Sequence, residues 1–328
     1  RRQLGGCSND TRGLFGSGRV TDPVNTIDFV TIATTGNASD FGDVTTAARY
    51  LGSTSSTTRG FWFGGNAPTA TNVINFVTIA TTGDASDFGD LTVDRGNCAS
   101  CASPTRGIVF GGNRPSDARD EIEYITIATR GDAKDFGDLQ NGSRQGAGLS
   151  NTTRGIHAGG SGALNTIAYI TIATTGDAIN FGDLDSGAGW LGAAASGIRG
   201  IFAGGYDSPL GINRIEYVTI QSTGNATDFG DLVETATNIG GAGNDIRGIF
   251  FAGETPSYVN TIQFVIMSSQ GGSNHFGDMS FNKLGHNGAV ANSTRAVSAG
   301  GYSPTSYFNA IEFVTIMTTG NSSDFGDL

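Results

Sequence analysis

Three cysteines in 328 residues cannot staple a chain of this size, so its core must hold by packing rather than by a disulfide framework. Histidine is as scarce. With only His157, His275 and His286, the lone Cys98-x-x-Cys101 pair lacks the second pair or the two histidines that a structural zinc site needs, and no metal or other cofactor is expected. Charge is sparse and unbalanced: 19 Lys and Arg stand against 30 Asp and Glu, a net charge of -11 that repels a phosphate backbone and argues against nucleic acid as a partner. No apolar run approaches the ~18 residues of a membrane span and no basic-then-apolar leader opens the chain, so membrane insertion is not expected. The missing initiator Met suggests a processed product or an excised part of something longer.

What the chain has is glycine and repetition. Glycine accounts for 52 residues and proline for only 7, which describes a turn-dense chain that is neither collagen-like nor a linker. Phe-Gly-Asp starts at Phe41, Phe88, Phe136, Phe181, Phe229, Phe276 and Phe325, in steps of 45 to 49 residues. Arg12, Arg59, Arg106, Arg154, Arg199, Arg247 and Arg295 keep the same period without slipping. Repeats of this length are propeller blades or helical arrays. Segments such as Thr26 to Ala33 (TIDFVTIA) are short, β-branched and aromatic, and no long stripe of period 3.6 competes with them, so the unit is a blade.

The first copy reads as four strands, Arg2 to Ser8, Arg12 to Gly16, Thr26 to Ala33 and Asp40 to Val44. Seven such units, at about 1–44, 45–91, 92–139, 140–184, 185–232, 233–279 and 280–328, predict an all-β, seven-bladed β-propeller of four-stranded antiparallel blades. Each blade is contiguous in sequence, so closure is expected from packing between the blades of Phe15 and Phe325, without an interlocked strand.

The glycine pairs ending strand two (Gly64-Gly65, Gly111-Gly112, Gly159-Gly160, Gly204-Gly205, Gly300-Gly301), with Arg2, Arg49 and Arg144 opening strand one, resemble a kelch repeat, although Phe replaces the Trp usual in strand four. Kelch motifs imply a fold and not an activity. The compact Gly/Thr-rich units are also similar to repeats in virion and tail proteins of marine phages, which implies a virion or extracellular location and other virion proteins as partners.

Variation among the copies separates two faces. The segments between strands three and four are nearly constant (TTGNAS, TTGDAS, TRGDAK, TTGDAI, STGNAT, SQGGSN, TTGNSS), whereas the two-three loops differ in length and chemistry. Those loops share a face with the crossovers between blades, and loops on a rigid scaffold are where recognition is presented. Tyr206, Asp207, Tyr258, Tyr302 and Tyr307, with Arg114 and Asp117, are the candidate ligand-binding residues: aromatic rings stack on sugar faces, and Asp and Arg bond hydroxyls directionally. A host-surface glycan or protein receptor is the expected ligand, with a purely structural virion or assembly scaffold as the alternative. The scattered histidines and the loop arginines Arg19, Arg114 and Arg214 offer no catalytic constellation, so an enzyme is not expected.

Other motifs read as structure. Arg130-Gly131-Asp132 occupies a turn that is Thr-Gly-Asp or Thr-Gly-Asn elsewhere. Asn37, Asp40 and Asp43 suggest calcium by spacing, but strand alternation should point Asp40 and Asp43 oppositely. The repeated strand-two arginines are expected to reach backbone carbonyls or the acid preceding each Phe-Gly-Asp. The motif's Asp is expected to accept N–H groups from the crossover. Leu14, Phe61, Ile108, Ile156, Ile201, Ile249 and Val297 should form an apolar layer between blades.

Overall fold

A computed structural model describes every residue except 115–116, 163, 208, 255–256 and 284–287, and the described residues contain strands but no helix. The protein is a seven-bladed β-propeller. In the first blade strand one is Gly5–Ser8, strand two Arg12–Gly16, strand three Thr26–Thr31 and strand four Ser39–Asp43, paired antiparallel in that order. Six further contiguous four-stranded sheets follow. Strand one begins later than its sequence pattern predicts, because Gln3 has φ 59 and turns the chain before Gly5.

The core lies between blades. Leu14, Ile27 and Phe41 of the first blade pack with Trp62, Val77 and Ile79 of the second, and the same layer recurs around the ring, ending with Phe15 and Val30 against Val297 and Phe325. The seven expected layer residues after the strand-two arginines are all 0% exposed. At about 1.5 to 3 kcal/mol for each such side chain, burial of this layer favours cohesion between neighbouring sheets.

Each Phe-Gly-Asp sits on a bulge. Ile27 faces Gly42 and Asp28 faces Asp40, so Phe41 is the extra residue and turns inward to 2% exposure. Its ring meets Phe29 edge-on at 5.7 Å, and the Arg12 guanidinium lies 4.6 Å from the Phe29 centroid. The same Arg–aromatic–Phe stack occurs in all seven blades. Each arginine also donates to a backbone carbonyl of the next blade, from Arg12 to Ile79 at 2.9 Å through Arg154 to Ile220 at 3.0 Å to Arg295 and Ile32 at 2.9 Å. Of the two expected partners, the carbonyls are the ones engaged.

The bulge also breaks the simple alternation of strand four and leaves both Asp40 and Asp43 exposed, contrary to the expected opposite orientations. The carboxylate of Asp43 is not the crossover acceptor that the sequence suggested. Instead its backbone N–H donates to Asp84 Oδ1 of the following blade at 3.0 Å, and the carbonyls of Phe41 and Asp43 accept from Gly83 at 2.6 Å and Ala85 at 2.8 Å. The three-four segment of each blade thus lies along the outer edge of the preceding one and covers it, which removes an exposed sheet edge. Gly42 is required at this seam: a Cβ there would stand 2.5 Å from the Gly83 carbonyl carbon.

The seventh seam is like the others. Gly36 and Ala38 donate to Phe325 and Asp327 at 2.7 and 2.8 Å, and Asp327 N–H reaches Asn37 Oδ1 at 3.3 Å. Closure therefore uses this hydrogen-bonded overlap as well as side-chain packing. Among the described residues no strand crosses from one terminal sheet into the other.

Candidate functional site

The face carrying the crossovers and the two-three connections is built on glycine pairs. Gly64 and Gly65 have φ of 56 and 105, and a Cβ on Gly64 would stand 2.3 Å from the Arg95 carbonyl oxygen of the next blade. Gly65 N–H donates to that carbonyl at 2.9 Å, so each two-three connection is anchored to the crossover of its neighbour. Short ribbons form in several of the connections: Asn113–Arg114 pairs with Asp117–Ala118, Tyr206–Asp207 with Leu210–Gly211, and Tyr302–Ser303 with Ser306–Tyr307. In the sixth blade strands two and three lengthen to Arg247–Glu254 and Tyr258–Ile266.

These ribbons bring three of the candidate residues together. Tyr302 lies 5.1 Å from Tyr307 and 6.2 Å from Tyr258, and the Arg2 guanidinium sits 4.0 Å from the Tyr302 centroid and 5.4 Å from that of Tyr307. Tyr206 belongs to a second group, edge-on to Trp190 at 5.8 Å, with Asp207 accepting from Ser186 Oγ at 3.2 Å. Arg114 pairs with Asp94 at 2.9 Å on the third blade, and Asp117 has an interaction of its own. Arg2, Trp190 and the stacked Phe281 and Phe308, 4.9 Å apart, are face residues that the loop alignment did not single out. They lie on crossovers or at the foot of a ribbon, where a search for loop tyrosines does not look.

The axial channel opens on this face into a cavity of about 340 Å3. One position per blade rims it, occupied by Gln3, Tyr50, Asn97, Gln145, Trp190 and Asn238, with φ between 53 and 61. Each of these six N–H or C=O groups joins a backbone chain around the mouth: Tyr50 donates to Gln3 at 3.2 Å, Asn97 to Tyr50 at 2.9 Å, Gln145 to Asn97 at 3.0 Å, Trp190 to Gln145 at 2.8 Å and Asn238 to Trp190 at 3.2 Å. A left-handed backbone costs a non-glycine residue about 1 to 2 kcal/mol. The corresponding position of the seventh blade falls within residues 284–287, outside the described residues.

Beneath this face the charged groups form buried pairs. Arg95 (0% exposed) bonds Glu123, Lys283 Nζ lies 3.3 Å from Glu312, and Arg1 lies 2.7 Å from Asp28. Burial pushes the Lys283 ammonium below its ordinary value. Burial opposes ionisation of Glu312 too, but Lys283 and donors from Ser280 and Ser322 outweigh it and hold the carboxyl low. These pairs are interior struts, since neither partner is open to a ligand.

The remaining motifs are accounted for by local bonding. Arg130 stacks on Phe76 at 4.6 Å and Asp132 accepts the Asp90 N–H at 3.1 Å, so the Arg-Gly-Asp triplet belongs to a seam. Asp40 Oδ1 accepts the Gly42 N–H at 3.0 Å. Cys7 and Cys101 are buried thiols that burial pushes up to about 12. His157 is buried against Phe110, and burial lowers it to about 4. His275, exposed on the sixth blade, faces Asp278 at 3.1 Å. Among the described residues no three His, Cys, Asp or Glu side chains gather as a metal site would require, and no helix is long and apolar enough to cross a membrane. No protein-family model matches the chain, and no curated protein matches it.

Proposed function

We propose that this propeller is a non-catalytic binding module whose crossover face recognises a host-surface receptor or glycan within a phage virion or tail fibre. The observation that carries this reading is the asymmetry of that face. The seams and the opposite turns repeat nearly unchanged around the ring, while Trp190, Tyr206, Tyr258, Phe281, Tyr302 and Tyr307 fall in blades five to seven, against Tyr50 in the second. Aromatic faces beside Arg2 and Asp207 are the combination that sugars and protein loops both use, stacking from the rings and directional bonds from the charged groups. The kelch-like repeat supplies the rigid ring, and the resemblance to marine phage repeats supplies the virion context and the other virion proteins as neighbours.

A glycan-array screen on the ring is the direct test. Saturable binding that disappears when Tyr206, Tyr302 and Tyr307 are replaced by Ser, with the melting transition retained, supports the reading. A second reading, a structural virion or assembly scaffold, is favoured by the intramolecular engagement of those rings, with Arg2 on Tyr302 and Trp190 on Tyr206. An array that stays blank with an intact ring selects the scaffold.

A further inference from the structure

We infer that Arg2 and Arg19 form an anion subsite on the crossover face, and that its ligand is an acidic saccharide whose carboxylate or sulfate group seats on the two guanidiniums. This rests on the reading that the face binds a host-surface ligand, and it names the class of that ligand.

The first argument is the pairing. Arg2 N–H donates to the Arg19 carbonyl at 3.0 Å and Arg19 N–H to that of Arg2 at 2.9 Å, so the two residues stand directly opposite in an antiparallel bridge. Side chains of such a pair leave the same side of the ribbon, from Cα atoms about 5.5 Å apart, and like charges placed there repel. The ring avoids this elsewhere. Where the crossover residue is arginine in the second and fourth blades, neutral partners stand opposite: Asn66 faces Arg49, and Ser161 donates its N–H to the Arg144 carbonyl at 2.8 Å. Arg2 belongs to that repeated position, so Arg19 is the added cation. Stacking on Tyr302 accounts for Arg2 and not for Arg19.

The second argument is the missing counter-charge. Five other arginines on or beneath this face have a carboxylate partner, such as Arg114 with Asp94 at 2.9 Å and Arg214 with Glu216 at 2.7 Å. Among the described residues no carboxylate pairs with Arg2 or Arg19, although Asp22 shares a loop with Arg19 and Glu254 lies on the same face. Both side chains are half-buried with the Nε enclosed, whereas their terminal nitrogens bond nothing within the protein and stay open to solvent. Two accessible guanidinium edges side by side supply the N–H donors that a carboxylate or sulfate accepts.

The third argument is what surrounds the pair. Arg2 lies 4.0 and 5.4 Å from the Tyr302 and Tyr307 centroids, and Tyr258 stands 6.2 Å from Tyr302. The Tyr302 hydroxyl reaches only the Pro304 carbonyl, at 3.5 Å, and those of Tyr258 and Tyr307 bond no protein group among the described residues. Phenols that can donate and accept, on apolar rings, suit a hydroxylated sugar attached to the anion. A net charge of -11 disfavours acidic ligands over the rest of the surface, so the arginine pair confines such a ligand to the junction of the first and seventh blades.

The test titrates the intact ring with N-acetylneuraminic acid, methyl glucuronide and a sulfated galactose, against methyl galactoside and inorganic sulfate, each up to on the order of 10 mM. Saturation-transfer NMR and the change in Tm are the readouts. At least one acidic sugar should bind saturably and raise Tm, and Arg19→Gln should weaken it about tenfold or more by removing charge-assisted hydrogen bonds. Without ligand, Arg19→Gln should melt at or above wild type, because it relieves the repulsion. The stronger of the carboxylate and sulfate responses identifies the anionic group. Methyl galactoside binding as well as the acidic sugars, binding indifferent to Arg19→Gln, or an unliganded Arg19→Gln variant that melts well below wild type would each overturn the subsite. Inorganic sulfate binding as tightly as the sugars would overturn the saccharide. If the acidic sugars are inert while array binding persists and depends on Tyr302 and Tyr307, the anion subsite is wrong and the binding face stands. If both are blank, the two readings fall together.

Discussion

Replacing Lys283 by Ala should destabilise the ring strongly, and adding Glu312→Gln should recover much of the loss. Lys283 is 0% exposed and Glu312 is 2% exposed. Glu312 Oε1 already accepts from Ser280 N–H at 2.7 Å and Ser322 Oγ at 2.8 Å, while Oε2 faces the ammonium. Removing the lysine leaves a buried carboxylate without its counter-charge, a change worth about 3 to 5 kcal/mol. At roughly 2 to 4 °C per kcal/mol for a chain of this class, Tm should fall by on the order of 10 °C.

The sixth blade shows why the second substitution rescues. There Ala236 and Gln263 occupy the equivalent positions, and Gln263 Oε1 accepts from Val233 N–H at 2.6 Å and Ser273 Oγ at 2.8 Å, the same two donors by register. The seventh blade of the double variant would copy an arrangement that the ring already contains. Thermal and urea melts of the four corners of the cycle measure the coupling. The pH dependence gives a second readout: an unpaired buried Glu312 has a raised folded-state pKa and regains stability by protonation as pH falls, whereas the wild-type carboxyl is held low and loses stability as pH falls through its titration. The gap between K283A and wild type should therefore narrow on acidification. A double variant as unstable as the sum of the singles, with a gap that does not change with pH, would refute the assignment of this pair as a strut.

Burial lowers His157 from 6.5 to about 4, so the unfolded chain takes up a proton that the folded one refuses across that window; stability should fall by about 3 kcal/mol between pH 6.5 and 4, and His157→Phe, matching Phe202 and Phe250 at the same position of the fifth and sixth blades, should remove that share of the loss in melts against pH. Phe181→Ala should cost about 3 to 5 kcal/mol and Arg154→Ala more than any ribbon substitution, so a Tyr302→Ala variant melting as low as Phe181→Ala would contradict the division between seams and face. Gly137→Ala should open a seam, because its Cβ would stand 2.4 Å from the Gly176 carbonyl carbon, whereas Gly197→Ala, with nothing within 4 Å, should melt like wild type.

The blade count and strand order were legible because two motifs, Phe-Gly-Asp and the strand-two arginine, repeat in step. The apolar layer was legible for the same reason, since it lies a fixed two residues after that arginine. The role of the constant three-four segments was not. They look like turns because they are short and carry Gly with Asn or Asp, yet their constancy follows from docking on the preceding blade, a contact between residues about 42 apart, such as Asp90 and Asp132. Nothing local in Thr-Thr-Gly-Asp states that its aspartate will receive an N–H from another sheet. Asp43 was assigned that acceptor role because it is charged and constant, but the bulge at Phe41 leaves its carboxylate exposed and offers its backbone instead.

The interior struts were hidden by a different cause, since they vary where the seams do not. Across the blades the crossover position reads Arg1, Ala48, Arg95, Ser143, Ala188, Ala236 and Lys283, and the strand-three position reads Asp28, Asn75, Glu123, Ala168, Glu216, Gln263 and Glu312. A cation occurs at the first only where an acid stands at the second, and amides or small residues face one another elsewhere. The fifth blade is the informative exception: Glu216 faces Ala188 and takes its cation from Arg214 on its own strand, at 2.7 Å. A buried carboxylate needs a donor of opposite charge but not a particular place from which to receive it, so the pairing preserves charge balance while letting sequence drift. The rim of the channel follows the opposite logic, because its backbone belt fixes conformation at each position and leaves the side chain open to choice.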